Sequence, residues 1–323
     1  MLKALVNELL ITLQVSPHDA PLLIKSGRES GADPTTLDMS FVRTTHPMTG
    51  ERTVYLPGSS LKGTIRADCE RLARAAKPRG DSRWCCDPFD TRSSCGKRLE
   101  EEWKRNTKLK NNVALWHARS CVACRTFGSP HLASRFAIGD AYPINGVVIE
   151  QRDGVAIDRI SGAVAAGPFN YEVVTGGAFQ TNLSLRNFQL WQVGLVAMAL
   201  RDLSEGRLPL GSGRSKGFGG VSATYIDATV AYPGQTSVRR GHLDFGKHMY
   251  DLTAFQFIGK EDYDLWQPRG EGVRLPAGAG IVEEGEYGRI VVKITGHESI
   301  NALLLPTVGA WAYAVSSWKE SKL

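Results

Sequence analysis

Apolar and polar positions alternate from Leu5 to Val15, with Leu9, Ile11, Leu13 and Val15 on one side and Leu10, Thr12 and Gln14 between them. A two-residue period puts alternate side chains on opposite faces, so this stretch predicts a half-buried strand. The loop-like run Ser26 to Pro34 follows, then a short strand from Arg52 to Leu56. The period then changes. Leu61, Ile65, Cys69 and Leu72 recur at helical spacing as far as Ala76, while Lys62, Arg66 and Arg74 fall on another stripe around Glu70. That is an amphipathic helix with a basic outer face, and Cys69 belongs to its core side. Phe136 to Ala141 reads as a strand. Phe169 to Val174 and Ala178 to Leu185, set around Gly176-Gly177, predict a protruding hairpin. Trp191 to Leu203 is a helix with Val193, Val196, Ala197 and Leu200 as its stripe, and Val221 to Ile226 is a strand. Val291 to Ile294 and Leu303 to Val308 are further strand or helix pieces.

Two connections carry candidate chemistry. In Leu56-Pro-Gly-Ser-Ser-Leu-Lys-Gly-Thr-Ile-Arg66 a Pro-Gly turn precedes the helix, with Ser59 or Ser60 as N-cap. The free backbone N–H groups of a helix start attract anions such as phosphate, and Lys62 and Arg66 follow one turn apart. The second connection, Gly211 to Gly220, holds five glycines with Arg214 and Lys216. Its GxGxxxG spacing between a helix and a strand is the reverse of a dinucleotide fingerprint, and no Gly-Lys-Ser/Thr makes it a P-loop. No nucleotide cofactor is expected. What is left is a pliant backbone that permits close approach of a chain, with two cations for its phosphates.

Charge sharpens the picture. The chain of 323 residues has a formal net charge of +6. Between Leu61 and Arg135 there are 17 Lys and Arg against 8 Asp and Glu, whereas the remainder holds 22 against 25. The basic excess is thus confined to one quarter of the sequence, which permits a nucleic-acid partner. No run of about 18 apolar residues exists, so no membrane span is expected. The N-terminus turns acidic too soon for a signal peptide, which implies a cytoplasmic protein.

Five of the six cysteines, Cys85, Cys86, Cys95, Cys121 and Cys124, lie within 40 residues. Cys121-Val-Ala-Cys124 is a CxxC knuckle, and Cys95 with one of the Cys85–Cys86 pair completes four thiolates, a donor set that suits structural zinc. His117 is a reserve ligand. The intervening segment, Pro78 to Ser120, has few periodic apolar positions, so it needs a staple to be ordered.

Four elements in order, the Leu56–Arg66 stretch, Cys121-Val-Ala-Cys-Arg-Thr-Phe-Gly-Ser129, Asp158-Arg159 followed by Gly162-Ala163 and Phe169, and the Gly211–Gly220 loop, resemble the RAMP superfamily, the Repeat-Associated Mysterious Proteins of CRISPR effector complexes. The resemblance spans roughly Leu5 to Ile226. Within the superfamily the chain is similar to the backbone subunit that polymerises along the guide RNA in type III and type IV complexes, and its length and Cys-rich insertion look more like type IV. The resemblance implies an α+β fold. An RRM-like (ferredoxin-like) palm with an antiparallel sheet would comprise 1–77 and 126–323, a zinc-stapled basic finger 78–125, and a β-hairpin thumb 155–187 within the palm. It implies RNA contacts at Lys25, Ser59, Ser60, Lys62, Arg66, Arg159, Arg214 and Lys216. Type III subunits cut target RNA with an Asp in the loop before the Pro-Gly-Ser-Ser turn. Here that loop holds Asp33 and Asp38, and Asp38 with His46 or Lys25 could act in acid–base cleavage. A type IV-like subunit is expected to be non-catalytic, with a type III-like endoribonuclease as the alternative. The implied partners are guide RNA, complementary target nucleic acid, further copies of the chain, other effector subunits and a helicase, in a prokaryotic cytoplasm.

Overall fold

The computed structural model describes residues 4–27, 37–77, 84–90, 92–107, 112–255, 272–284 and 288–317. Its centre is β1 (Glu8–Pro17), where Leu9, Ile11, Leu13 and Val15 all point into the core. β1 pairs antiparallel with β6 (Val164–Arg186) on one side and with β7 (Val221–Pro233) on the other. β4 (Phe136–Ile138) closes the sheet beyond β6. At the other edge β13 (Arg289–Thr295) lies along β7, with β12 (Gly280–Glu284) outside it. The order β12-β13-β7-β1-β6-β4 is antiparallel throughout. Short ribbons pair β2 (Arg43–Thr45) with β3 (Arg52–Val54), β8 (Arg239–Arg240) with β9 (Leu243–Asp244), and β10 (His248–Met249) with β11 (Val273–Arg274).

Two helices cover one face of the sheet. α1 (Gly58–Ala76) buries Leu61, Ile65, Cys69 and Ala73 at four-residue spacing. α5 (Leu190–Ser204) is apolar nearly all round and is buried nearly all round, as a helix enclosed by other elements must be. Contact with the C-terminal segment is close. A Cβ on Gly194 would lie 2.2 Å from the Thr307 carbonyl oxygen, so only glycine lets α7 (Thr307–Ser317) lie against α5. α6 (His297–Leu304) adds Ile300, Leu303 and Leu304 to the same core. The described residues after Tyr232 therefore complete the sheet and its helical layer. The centre of the other face presents Thr12, Gln14, Gln180, Asn182 and Thr224, polar and uncharged, with the Thr12 hydroxyl donating to Asn182 Oδ1 at 2.8 Å.

Two expectations change. Gly176-Gly177 is not the hairpin turn. β5 (Tyr142–Ile157) pairs along β6 as far as Ile157–Val164, and Gly177, at φ +97°, sits in a bulge of one continuous strand. The turn lies at 158–163, where the Asp158 carboxylate accepts the N–H groups of Ile160 (3.0 Å) and Ser161 (2.7 Å). The hairpin thus starts at Tyr142, ahead of the expected 155–187, and its tip residue Ile160 is 98% exposed. The Cys-rich insertion, in which few apolar positions are periodic, forms helices among its described residues, α2 (Cys95–Arg105) and α3 (Val113–Arg119), with α4 (Val122–Phe127) at its close. Trp84, Cys121, Val122 and Phe127 join the same hydrophobic core as α1 and α5. The Trp84 indole N–H donates to the Ala73 carbonyl at 2.7 Å, and its ring lies 5.5 Å from that of Trp311. The insertion is anchored to the C-terminal half of α1, where Cys85 lies against the Glu70 carbonyl and Arg74 donates to that of Cys86 at 3.0 Å.

Candidate functional site

α1 turns a face of small residues away from the core. Ser60, Gly63, Thr64 and Ala67, followed by Asp68 and Arg71, line one wall of a cleft of about 470 Å³. The opposite wall is Ile24 and Lys25, from the chain after β1, with Leu208, Gly211, Ser212 and Arg214 from the glycine-rich connection. Three stretches far apart in sequence therefore bring Lys25, Ser60 and Arg214 together. Arg71 joins them, and the sequence reading missed it.

The glycines explain how the connection holds its place. Ser212 N–H donates to the Leu23 carbonyl (2.7 Å), and Gly219 N–H to that of Pro21 (2.8 Å). A Cβ at Gly211 or Gly219 would lie 2.2 Å from the Leu23 or the Leu210 carbonyl oxygen, and both have positive φ. Between Gly213 and Gly217 a single 3₁₀ turn, Arg214–Lys216, presents the cations. Arg214 is exposed. Lys216 donates to the Tyr171 hydroxyl at 2.7 Å and lies 4.7 Å from the centre of its ring, so it marks the root of the long hairpin and not the cleft.

Lys25, Arg71 and Arg214 set a positive potential in the cleft. The counterweight is the buried Asp68 carboxylate, bonded by the Arg71 guanidinium through Oδ1 and without a partner at Oδ2. Burial pushes the pKa of Asp68 above the ordinary carboxylate value, against the pull of Arg71. Cations on both walls over a floor of small side chains are suited to a ribose-phosphate chain.

The other expected contacts lie elsewhere. Lys62 donates to Ser134 Oγ (2.9 Å) and the Phe136 carbonyl (3.3 Å). Burial, then the neighbouring Arg66 charge, lowers its pKa. Arg66 binds Glu70 (2.8 Å) and the Gly128 carbonyl (3.2 Å). Both side chains tie α1 to the segment after α4, so the basic outer face expected there is an inner one. Pro57, not Ser59 or Ser60, is the N-cap of α1. The Gly58 N–H is taken by Asp140 Oδ1 at 2.7 Å, so the helix start already holds a protein carboxylate. Ser59 is exposed beside the cleft residue Ser60, and Arg159 is exposed at the tip of the hairpin.

Four cysteines form a second site. The sulfurs of Cys86, Cys95, Cys121 and Cys124 lie within 4.8 Å of one another, all buried. Cys121 and Cys86 are 3.6 Å apart, and Cys86 and Cys124 3.7 Å. A disulfide needs about 2.05 Å, so these are thiols gathered without bonding. Backbone N–H groups point at the sulfurs, from Cys124 to Cys121 Sγ (3.4 Å) and from Cys121 to Cys95 Sγ (3.2 Å). Thiol hydrogen bonds, first from Cys124, hold Cys121 well below the ordinary thiol value. Arg66 Nη2 lies 3.9 Å from Cys124 Sγ, and Arg98 Nη2 3.5 Å from Cys95 Sγ. Of the adjacent pair it is Cys86 that joins the cluster; Cys85 turns toward the Glu70 carbonyl at 3.7 Å. His117 is buried outside the group.

Asp33 lies outside the described residues. Asp38 accepts the Asn170 N–H at 3.0 Å, which fastens its loop to the base of the hairpin. Met39 and Glu172 continue that pairing, and Arg43 completes it by bonding Glu172 at 2.6 Å. His46 turns elsewhere, its Nδ1 accepting the N–H groups of Met48 and Thr49, each at 3.2 Å.

The structure thus sets a cation-lined cleft and a buried tetracysteine cluster on an antiparallel α+β body. The chain belongs to the RAMP superfamily, whose family model matches residues 36–222. That family is associated with CRISPR-related RNA-binding subunits, and its members bind CRISPR RNA and assemble with other subunits. The matched stretch takes in α1, the cysteine cluster, the hairpin and the glycine-rich connection. No curated protein matches the chain. Among the described residues no helix is long and apolar enough to cross a membrane.

Proposed function

We propose that this chain is the guide-RNA-binding backbone subunit of a class 1 CRISPR effector complex, similar to that of type IV, which polymerises along the guide and presents it to a complementary strand. The observation that carries the reading is the convergence of Lys25, Ser60, Arg71 and Arg214 on one cleft. The succession β1–α1–β4–β6–α5–β7 in the order β7-β1-β6-β4 supports an RRM-like palm, a split βαβ arrangement. The β5–β6 hairpin supports the thumb, and copies of the chain would stack beside it together with other effector subunits and a helicase.

Structural zinc fits the cysteine cluster. Zinc–sulfur bonds of about 2.3 Å in a tetrahedron hold the sulfurs about 3.8 Å apart, close to the 3.6 and 3.7 Å separations of three of them. Zinc would staple the finger to α1. The subunit itself is non-catalytic in this reading. Asp38 accepts the Asn170 N–H, and His46 stands edge-on to Tyr142.

The experiment is RNA binding by the purified full chain as a function of salt. Affinity should fall steeply with salt, because several phosphates are neutralised. Indifference to RNA at low salt refutes the reading. Cleavage of a complementary RNA by the assembled complex, abolished by Asp38→Ala, would replace it with the endoribonuclease alternative.

A further inference from the structure

Three rings meet where the long hairpin leaves the sheet. Tyr55 follows β3, Tyr142 opens β5, and His46 sits in the β2–β3 turn. The Tyr55 and Tyr142 rings are stacked at 6.1 Å with 17° between their planes, and His46 stands edge-on to Tyr142 at 4.8 Å. Because His46 Nδ1 accepts two backbone N–H groups, its proton belongs on Nε2 and the ring cannot turn freely. All three rings are only half-buried. Their surroundings are open and mixed. Arg52 is exposed, Met48 is 88% exposed, and Ile144, two residues further along β5, is 41% exposed.

Position gives the cluster a meaning. Leu56 and Ala141, the chain neighbours of Tyr55 and Tyr142, exchange backbone hydrogen bonds of 2.9 and 2.8 Å. Asp140 bonds the first N–H of α1. The rings therefore stand at the N-terminal end of the helix whose Ser60 opens the cleft. A ribose-phosphate chain lying along α1 and continuing past Ser60 would run toward the end of the helix where these rings stand. We infer that Tyr55, Tyr142 and His46 form a stacking site for an unpaired RNA base, a contact separate from the cationic cleft. The site rests on the reading of that cleft as a path for RNA. It tolerates any base, because each base has a π face, and the nearby Arg52 adds a cation.

The test compares a short single-stranded RNA with an abasic RNA of equal length, bound to the full chain at fixed salt. The wild type should prefer the intact RNA by about tenfold, the usual worth of one stacked base. Tyr142→Phe should keep that preference. Tyr142→Leu, which retains apolar contact with the β2–β3 ribbon but has no π face, should lose it while the affinity for abasic RNA stays unchanged. Equal binding of intact and abasic RNA by the wild type, or an unaltered preference in Tyr142→Leu, overturns the stacking site and leaves the cleft standing. Failure of the wild type to bind either RNA overturns both.

Discussion

Gly63 is the sharpest probe of the cleft. It lies in the second turn of α1, exposed, and a Cβ built on it meets nothing within 4 Å. Glycine inside a helix costs about 0.5–1 kcal/mol relative to alanine, through the extra freedom of the unfolded chain. No packing contact in the folded protein accounts for that cost, so the empty space itself is the use, and it opens into the cleft. Gly63→Ala and Gly63→Leu should both stabilise the fold by about 0.5–1 kcal/mol, a rise in Tm of about 1 °C for a chain of this size. Their effects on RNA should differ. Alanine adds one methyl to the floor and should weaken binding little. Leucine fills the space that a ribose-phosphate chain must enter and should weaken binding at least about tenfold, equivalent to about 1.4 kcal/mol. Thermal melts and fluorescence anisotropy with labelled RNA measure the two effects on the same preparations. A leucine variant that melts higher and binds RNA like the wild type refutes the cleft as the binding path.

Arg214→Ala should lower the salt slope of RNA binding by about one phosphate contact with little change in Tm. Arg71→Ala should lower the slope as much but also lower Tm, because it leaves the buried Asp68 carboxylate without its Arg71 partner. Lys62→Ala and Arg66→Ala should lower Tm and leave the slope as it is, since their partners are Ser134, Phe136, Glu70 and Gly128. Metal analysis of the pure protein should find one equivalent of zinc, retained in Cys85→Ser and lost in Cys86→Ser. The Arg43 hydrogen bond holds the pKa of Glu172 below its ordinary value, so the stability it contributes is present above the ordinary carboxylate pKa and is lost as pH falls through the depressed one. Glu172→Gln should therefore cost about 2 kcal/mol at neutral pH. The gap from wild type, read from denaturant melts, should close below about pH 4.

Much of the frame was legible because its signals are local. The two-residue alternation of Leu9, Ile11, Leu13 and Val15 and the four-residue spacing of Leu61, Ile65 and Cys69 need nothing beyond their own element. The loop cation Arg214 was legible for the same reason, from its own glycine-rich stretch, while Lys25 entered through the family resemblance. What failed depends on distant partners. Lys62 and Arg66 read as solvated because nothing within α1 says that α4 and the chain to β4 pack against their stripe. Arg71 was overlooked although it continues the small-residue stripe Ser60, Gly63, Thr64 and Ala67, a pattern that hydrophobic periodicity does not weigh. Gly176-Gly177 carries a turn signal, but β5 lies opposite and pairs on both sides of it, so the strand absorbs it as a bulge. Which of two adjacent cysteines faces Cys95 and Cys121 is a matter of side-chain direction, and spacing alone leaves it open.

α1 emerges as a helix with two opposed tasks. One side lines the cleft with small residues and Arg71, while the other is fastened to the insertion. Arg66 reaches Cys124 Sγ, Glu70 and the Gly128 carbonyl at once, and the Ala73 carbonyl receives Trp84. The cysteine cluster therefore sits behind the helix that faces the cleft, on its far side. A charged groove holds a strand in register only if its walls stay put, since a loose wall adds an ordering cost to each phosphate contact. Setting the helix against four buried sulfurs, and the glycine-rich connection against the backbone of Pro21 and Leu23, fixes both walls before any strand arrives.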